Sequence, residues 1–401
     1  MFRRELCAVA GVAAVSGCLR LQDDEAEGTE GVEASEDDGS TPGDDDGSDA
    51  LPEEPPVHIE EAWTAPDRGT SLHVTEQRVF LAGQNTSRTT ADGDRITVGG
   101  VAAIDLDGAV EWRRYEERTF AEASIRRHNG SIYAGESGIE PGSTGQNGDP
   151  RIVVSLTDDG TERWRFEADN PIWTLSSIRS DVVVVGTARL DPDGIGTGWI
   201  YALDRETGQR RWEERVEEEY PRYIDVDGRT AYAALWNGIR AYDIETGDER
   251  WRVDARPNDL QAVDGMVYTS YNDEVRAHAS TDGERILAGE MFDNLSTALV
   301  IDDNAVFAGS ADTGVYAFDA ETGEQYWRHR TDGGIVGLSY DGERVWATTD
   351  ADTAVALSRE GEPLFRAEID GDISVNTHAT VGDNLVVTGV RGTVGYRIVE
   401  R

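Results

Sequence analysis

The sequence contains no lysine: all 37 basic residues are arginine, set against 79 aspartates and glutamates, for a formal net charge of −42. A chain with no basic stripe cannot release counterions from a phosphate backbone, so nucleic acid is excluded as a partner. The same composition suits a surface that must stay hydrated in molar salt, where the Debye length falls to about 3 Å. Cysteine is nearly missing as well. The only two, Cys7 and Cys18, lie in the first eighteen residues, so the remainder has no disulfide and no thiol nucleophile. Long hydrophobic runs are also lacking. The most apolar stretch, Leu6 to Val15, is about ten residues, too short for a hydrocarbon core of ~30 Å. No Gly-x-Ser-x-Gly elbow or phosphate loop occurs, and His58, His73, His128, His278, His329 and His378 have no metal-ligand spacing. Turns explain Asp105-Leu-Asp-Gly108 and Asp191-Pro-Asp-Gly194 without invoking a cation.

What is present at the N-terminus reads as an address. Arg3-Arg4, the short apolar run and Val15-Ser-Gly-Cys18 resemble a lipoprotein signal with its lipobox, and the arginine pair resembles a twin-arginine export signal. Residues 1–18 are therefore expected to be a signal peptide ending at a lipidated Cys18. Residues 19–56, with Gln22-Asp-Asp-Glu-Ala-Glu27 and Gly43-Asp-Asp-Asp-Gly-Ser48, hold too little apolar surface to offset the entropy of ordering. They are expected to form an acidic tether, extended by like charges and without the Gly and Glu spacing of an EF-hand.

From residue 57 to 401 one unit recurs at intervals of roughly 35 to 50 residues: a glycine, three residues, then a large apolar residue. It reads Gly108…Trp112, Gly160…Trp164, Gly208…Trp212, Gly247…Trp251, Gly283…Leu287, Gly323…Trp327 and Gly361…Phe365. An alternating run precedes each glycine, as in Tyr201-Ala-Leu-Asp204, and a second run follows, the pattern of a β-hairpin whose turn needs positive φ. Upstream, β-branched or aromatic runs such as Ala231-Tyr-Ala-Ala234, Val306-Phe-Ala-Gly309 and Val345-Trp-Ala-Thr348 supply two further strands. Each unit thus holds four strands, A to D, with the tryptophan on D.

The last unit has A (Ser374 to Thr380), B (Leu385 to Gly389) and C (Gly395 to Val399) runs and then stops. Val57-His-Ile-Glu-Glu-Ala-Trp63 has the look of a D strand with no hairpin before it, since Ile59 stands where the turn glycine belongs. An all-β, eight-bladed propeller closed by its N-terminal strand is predicted, with seven blades as the alternative; closure removes the open sheet edge.

The first three blades carry long polar insertions between strands B and C: Gln84 to Val98, Glu136 to Pro150 and Thr187 to Gly198. B–C and D–A loops emerge on one face of a propeller, which makes that face the candidate interaction surface, with Trp173, Trp199, Tyr220 and Trp236 as its candidate aromatics. The sequons at Asn85, Asn129 and Asn294 are compatible with surface glycosylation.

The motif Ala-x-Asp-x-Glu-Thr-Gly-x-x-x-Trp at Ala202–Trp212, Ala241–Trp251 and Ala317–Trp327 resembles the repeat of the pyrroloquinoline-quinone (PQQ) type propellers. That family includes quinoprotein dehydrogenases and non-enzymatic lipoproteins of the outer-membrane barrel-assembly (BamB) type. The resemblance implies that Trp63, Trp112, Trp164, Trp212, Trp251 and Trp327 are structural, docking blade on blade. Quinoprotein alcohol dehydrogenases hold their cofactor under adjacent cysteines, with an aspartate base and Glu and Asn ligands to calcium. Here no cysteine follows Cys18, and the cations at hand are scattered arginines such as Arg222 and Arg240. The expectation is a halophilic, haloarchaeal lipoprotein without a cofactor, monomeric, held on the outer face of the cytoplasmic membrane by lipid alone, that binds a protein or cell-surface component. A PQQ- and calcium-dependent oxidoreductase is the alternative, and a solute- or polysaccharide-binding propeller a second.

Overall fold

The computed structural model describes residues 51–89, 95–115, 122–137, 151–190, 196–217, 219–271, 273–291, 296–302, 304–311, 313–369, 373 and 375–400. Eight four-stranded antiparallel sheets are arranged as an eight-bladed propeller. Blades 1 to 7 are simple meanders over 71–115, 122–167, 172–216, 221–254, 259–290, 296–330 and 335–368, with strand A innermost. Blade 8 takes A, B and C from 375–400 and its D strand, Val57–Ala65, from the start of the ring. Eight sheets settle the blade number and exclude seven.

The repeat motif has a packing reason at nearly every position. Its aspartate closes the C–D turn: Asp204 Oδ1 accepts the backbone N–H of Glu206 at 3.1 Å and of Thr207 at 2.9 Å, and Asp319 Oδ1 does the same for Glu321 at 2.9 Å and Thr322 at 2.7 Å. The glycine then takes positive φ, 70° at Gly208 and 79° at Gly247. The motif's first alanine stands directly across the hairpin from the tryptophan, as Ala202 from Trp212, Ala241 from Trp251 and Ala317 from Trp327. A small side chain there leaves room for the ring, and a register shift follows it in each hairpin.

Each tryptophan then reaches into the next blade. A Cβ placed on Gly160 would stand 2.8 Å from Trp112, on Gly247 2.8 Å from Trp212, and on Gly283 2.7 Å from Trp251, so the turn glycine of one blade is the floor for the ring of the blade before it. Gly108 serves Trp63, Gly208 serves Trp164 and Gly361 serves Trp327 in the same way. The indole N–H donates to a turn carbonyl beside that glycine: Trp112 to Asp158 at 2.9 Å, Trp164 to Arg205 at 2.9 Å, Trp212 to Ile244 at 2.8 Å, Trp251 to Ser280 at 2.9 Å and Trp327 to Arg359 at 2.8 Å. Two seams depart from the rule. Leu287 fills the seam onto Gly323, whose added Cβ would meet the Ala288 carbonyl at 2.8 Å. At the seam between blades 7 and 8 there is no C–D hairpin, and Phe365 packs with Val57, Tyr396 and Ile398, with Ile59 against them.

The core follows the seams, not the sheets. Each of eight hydrophobic clusters joins two neighbouring blades; Val182, Val184, Ile224, Val226 and Ala231, for example, knit blade 3 to blade 4. The closing seam carries Trp63, Ala65, Leu72, Val79, Ala379 and Val386. It is latched by Asp67, 3% exposed, whose two oxygens accept Nε and Nη2 of Arg113, each at 2.6 Å, while its carbonyl accepts the Thr393 hydroxyl at 2.7 Å.

Residues 51–56 of the expected tether form no strand; its residues 19–50, the expected signal and Cys18 lie outside the described residues. So do 90–94, 138–150 and 191–195 of the three insertions, and the Asn294 sequon. The first and third insertions are extensions of the B–C hairpins: strands pair out to Thr89↔Arg95 and Leu190↔Gly196. Asn129 is in a turn at φ 46° beside His128. Asp105 is also a turn residue, its Oδ1 accepting N–H of Asp107 at 3.0 Å and Ala109 at 2.8 Å.

Candidate functional site

Antiparallel meanders place all B–C turns and all D–A connections on one face. Blade 4 has the shortest B–C turn possible there, Trp236-Asn237 between strands Thr230–Leu235 and Gly238–Asp243. The preceding hairpin of blade 3, Val182–Leu190 with Gly196–Asp204, is half as long again, so Trp236 stands in a step beside a wall.

Trp173, Tyr220 and Trp236, expected separately, come together in that step. Trp173 belongs to strand A of blade 3 (Ile172–Leu175), and Tyr220 precedes strand A of blade 4 (Pro221–Asp227). Their ring centroids are 5.4 Å apart; Tyr220 and Trp236 follow at 5.8 Å with planes 23° apart, and Trp236 ends the ladder 44% exposed. The wedge that sets Tyr220 has a local cause. Gly186 and Gly198 of blade 3 are bare where Pro221 presses in; a Cβ on them would meet its ring at 2.8 and 2.6 Å. Glu219, next in line, is tied to Arg240 at 2.7 Å with both side chains about 15% exposed. Trp199 does not join: it packs against the seam between blades 2 and 3, with the Arg215 guanidinium 5.7 Å from its ring.

Beyond Trp236 lies a cavity of about 310 Å³ lined by Arg222, Trp236, Arg256, Asn258, Tyr271, Asp273, Glu274 and Arg276. Arg222 lies over Trp236 at 5.5 Å and over Tyr223 at 5.8 Å. Arg276 lies 4.1 Å over the buried Tyr271 ring and pairs with Glu274. Burial holds the Tyr271 hydroxyl above its ordinary pKa, so it stays a neutral partner. None of these residues except Arg222, Trp236 and the ladder was singled out from sequence. A D–A loop and a B–C turn one blade further on supply them, with no motif to mark them.

Strands A surround the central channel and are laced together by side chains. Asp225 Oδ2 accepts the Ala262 N–H of blade 5 at 2.8 Å, and its Oδ1 accepts the Val226 N–H at 2.9 Å and the Ser177 hydroxyl of blade 3. Asp259 repeats this one blade on, accepting Leu260 N–H at 2.7 Å and Leu299 N–H of blade 6 at 3.1 Å. Burial pushes the Asp259 carboxyl up to about 7, against the pull of its two amide donors and of Arg126. Arg126 donates to the carbonyls of Ile125 at 2.9 Å and Leu175 at 3.2 Å. His378 spans the seam between blades 7 and 8, with Ser339 at 2.8 Å and Thr348 at 2.9 Å, and burial lowers its pKa to about 4; burial and the nearby Arg127 and Arg126 do the same to His73. His278 is 1% exposed in strand C of blade 5, with Gly283 O at 3.1 Å. Among the described residues no three His, Cys, Asp or Glu side chains converge on one point.

Residues 146–233 and 237–395, more than half of the chain, match the family described as outer membrane protein assembly factor BamB. Among curated relatives, BamB of Burkholderia pseudomallei is 23% identical over 370 residues, spanning 86% of this chain and 89% of that protein. The quinoprotein alcohol dehydrogenase PedE of Pseudomonas putida is 24% identical over 274 residues, 55% of this chain and 41% of the enzyme. The serine/threonine-protein kinase AfsK of Streptomyces coelicolor is 27% identical over 177 residues, 42% of this chain but only 20% of the kinase. The solved structure of BamB from Moraxella catarrhalis superposes with a TM-score of 0.61 at 18% identity, covering 84% of this chain and 97% of that one. The chain belongs to the PQQ-like repeat β-propeller family of the BamB type.

Proposed function

We propose that this protein is a non-enzymatic docking module, a propeller that presents its B–C/D–A face to another protein. One observation carries the reading: the Trp173–Tyr220–Trp236 ladder ends in an exposed indole at the mouth of an arginine-lined cavity. Exposed aromatics rimmed by arginine are the side chains enriched in the energetic centres of protein interfaces. The match to an assembly factor over nearly the full length of both chains supports the same reading.

The finer parts of the proposal rest on the sequence. Cleavage before Cys18 and its lipidation would hold the ring, as a monomer, on the outer face of the cytoplasmic membrane, spaced by the acidic tether. Cys18→Ser should release the protein into the medium; retention on the membrane sinks the anchor. No cofactor enters the proposal. The channel carboxylates Asp225 and Asp259 are already committed to amides of neighbouring blades, and Arg126 to two carbonyls, a set that suits neither calcium nor a tricarboxylate. A melting-temperature rise on adding PQQ with calcium would replace this reading with the quinoprotein one.

The direct test is photocrosslinking in intact cells, with benzoylphenylalanine at position 236 and, as control, at Arg229 on the opposite face. A discrete adduct from 236 and none from 229 is expected. No adduct from either, or equal adducts from both, overturns the docking face.

A further inference from the structure

The cavity beside Trp236 has an electrostatic character at odds with the rest of the molecule. In a chain of net charge −42 it gathers three guanidinium groups, Arg222, Arg256 and Arg276, against two carboxylates, Asp273 and Glu274. Glu274 is taken up by Arg276 and Asp273 lies exposed. With Glu274 paired to Arg276, Arg222 and Arg256 stand against Asp273 alone, which leaves one positive charge in excess.

The donors are also unspent. Arg222 gives only one N–H among the described residues, Nη1 to the Pro257 carbonyl at 3.3 Å, out of the five a guanidinium offers. Arg256 is exposed and makes no hydrogen bond or ion pair among the described residues. The Nε of Arg276 is buried with no acceptor. Their orientation is held by rings: Arg222 by Tyr223 and Trp236, Arg276 by Tyr271. Planar guanidinium forks held on aromatic faces suit the planar, two-oxygen geometry of a carboxylate.

We infer that this cavity receives an acidic side chain from an extended segment of the partner, with a neighbouring apolar side chain lying on Trp236. The inference rests on the docking reading and names its specificity. Size agrees: about 310 Å³ is at the small end of ligand sites and takes one or two side chains, not a folded element. Charge complementarity agrees as well. The surrounding acidic surface repels acidic partners in general, so an arginine-lined recess selects a single carboxylate in a defined position and not a polyanion.

The probe is an acetylated, amidated pentapeptide of sequence Ala-Phe-Glu-Phe-Ala, compared by calorimetry on the full-length chain with its Ala-Phe-Gln-Phe-Ala counterpart and with glutarate alone. The glutamate peptide should bind about tenfold tighter than the glutamine peptide, the worth of one charge-assisted bond. Arg256→Gln, a surface change without a partner to orphan, should erase that preference while leaving the melting temperature in place. Trp236→Ala should weaken both peptides together. Equal binding of the two peptides, no binding of either, or a preference that persists in Arg256→Gln overturns the inference. Glutarate binding as tightly as the peptide overturns the peptide-segment part. An adduct at position 236 in cells alongside a failed peptide test would keep the docking face and reject only its acidic specificity.

Discussion

Trp212 of blade 3 lies flat across Gly247 of blade 4. A Cβ on that glycine would stand 2.8 Å from the indole, and the indole N–H reaches the Ile244 carbonyl at 2.8 Å. Gly247→Ala must therefore both hold φ at 79° and displace the ring. The expected loss is about 2–4 kcal/mol from left-handed strain and overpacking together. Gly228→Ala is the control: φ is 55°, but nothing lies within 4 Å, so only the strain of about 1 kcal/mol remains. Denaturant midpoints of the two variants separate the terms; equal losses would refute the docking role.

Ring closure should depend on one ion pair and one strand. Asp67→Ala removes a bidentate pair and is expected to cost about 1–2 kcal/mol, since Asp67 is 3% exposed but Arg113 is 36% exposed to solvent. Deleting Val57–Ala65 bares the edge of Thr393–Glu400. Light scattering should then report association; a monomeric, fully stable deletion would contradict the closure.

Asp225 ties blade 4 to blades 3 and 5. Asp225→Ala strands the buried N–H groups of Val226 and Ala262 and should cost about 2–4 kcal/mol. Asp225→Asn keeps one acceptor oxygen but sets an NH2 donor against the Ala262 N–H or against the Val226 N–H and Ser177 hydroxyl, so it should still cost more than about 1 kcal/mol by the same denaturation assay.

Acid should loosen the ring in two stages. His378 and His73 have folded pKa values lowered to about 4 from 6.5, so the unfolded chain binds their protons first, and stability falls as pH drops from about 6.5 towards 4, offset in part by Asp259, which at about 7 takes its proton in the folded chain before the unfolded one. The turn aspartates Asp204 and Asp243 are held at about 2, chiefly by hydrogen bonds from Arg211 and Arg250; their contribution is full above 3.8 and is lost as pH falls towards 2. His378→Gln should flatten the first stage and leave the second. An unchanged slope between pH 6.5 and 4 would show that His378 is not a buried neutral base.

Trp236→Ala should leave stability within about 0.5 kcal/mol, because the ring is 44% exposed at a turn. Its effect should appear in calorimetry as weaker binding of both peptides; a large drop in melting temperature would make it a packing residue.

The repeat was legible because its causes are local. An aspartate and a glycine set each C–D turn within four residues, and Ala202 opposite Trp212 is a hairpin pairing decided by that turn. The missing turn glycine at Ile59 was likewise enough to place Val57–Ala65 as a closing strand. The candidate aromatics were half legible. Alternation and loop position put Trp173, Trp199, Tyr220 and Trp236 near one face, but whether rings meet depends on how blades rotate against each other. That rotation is set by Pro221 pressing on Gly186 and Gly198, contacts between different blades. It brought three rings together and turned Trp199 into the seam beneath.

By itself the sequence determined the all-β class, the repeating unit, the turn chemistry and the way the ring closes, since each follows from backbone preferences acting over a few residues; it favoured eight blades over seven, and the eight sheets settled the number. Only the tertiary structure decided that Arg222, Arg256 and Arg276, on two blades, share a cavity with Trp236. It also decided that Asp225 and Asp259 are spent on neighbouring strands. The physical reason is the same in both cases: these groups meet across seams, where the packing of whole sheets fixes distances that no local spacing encodes.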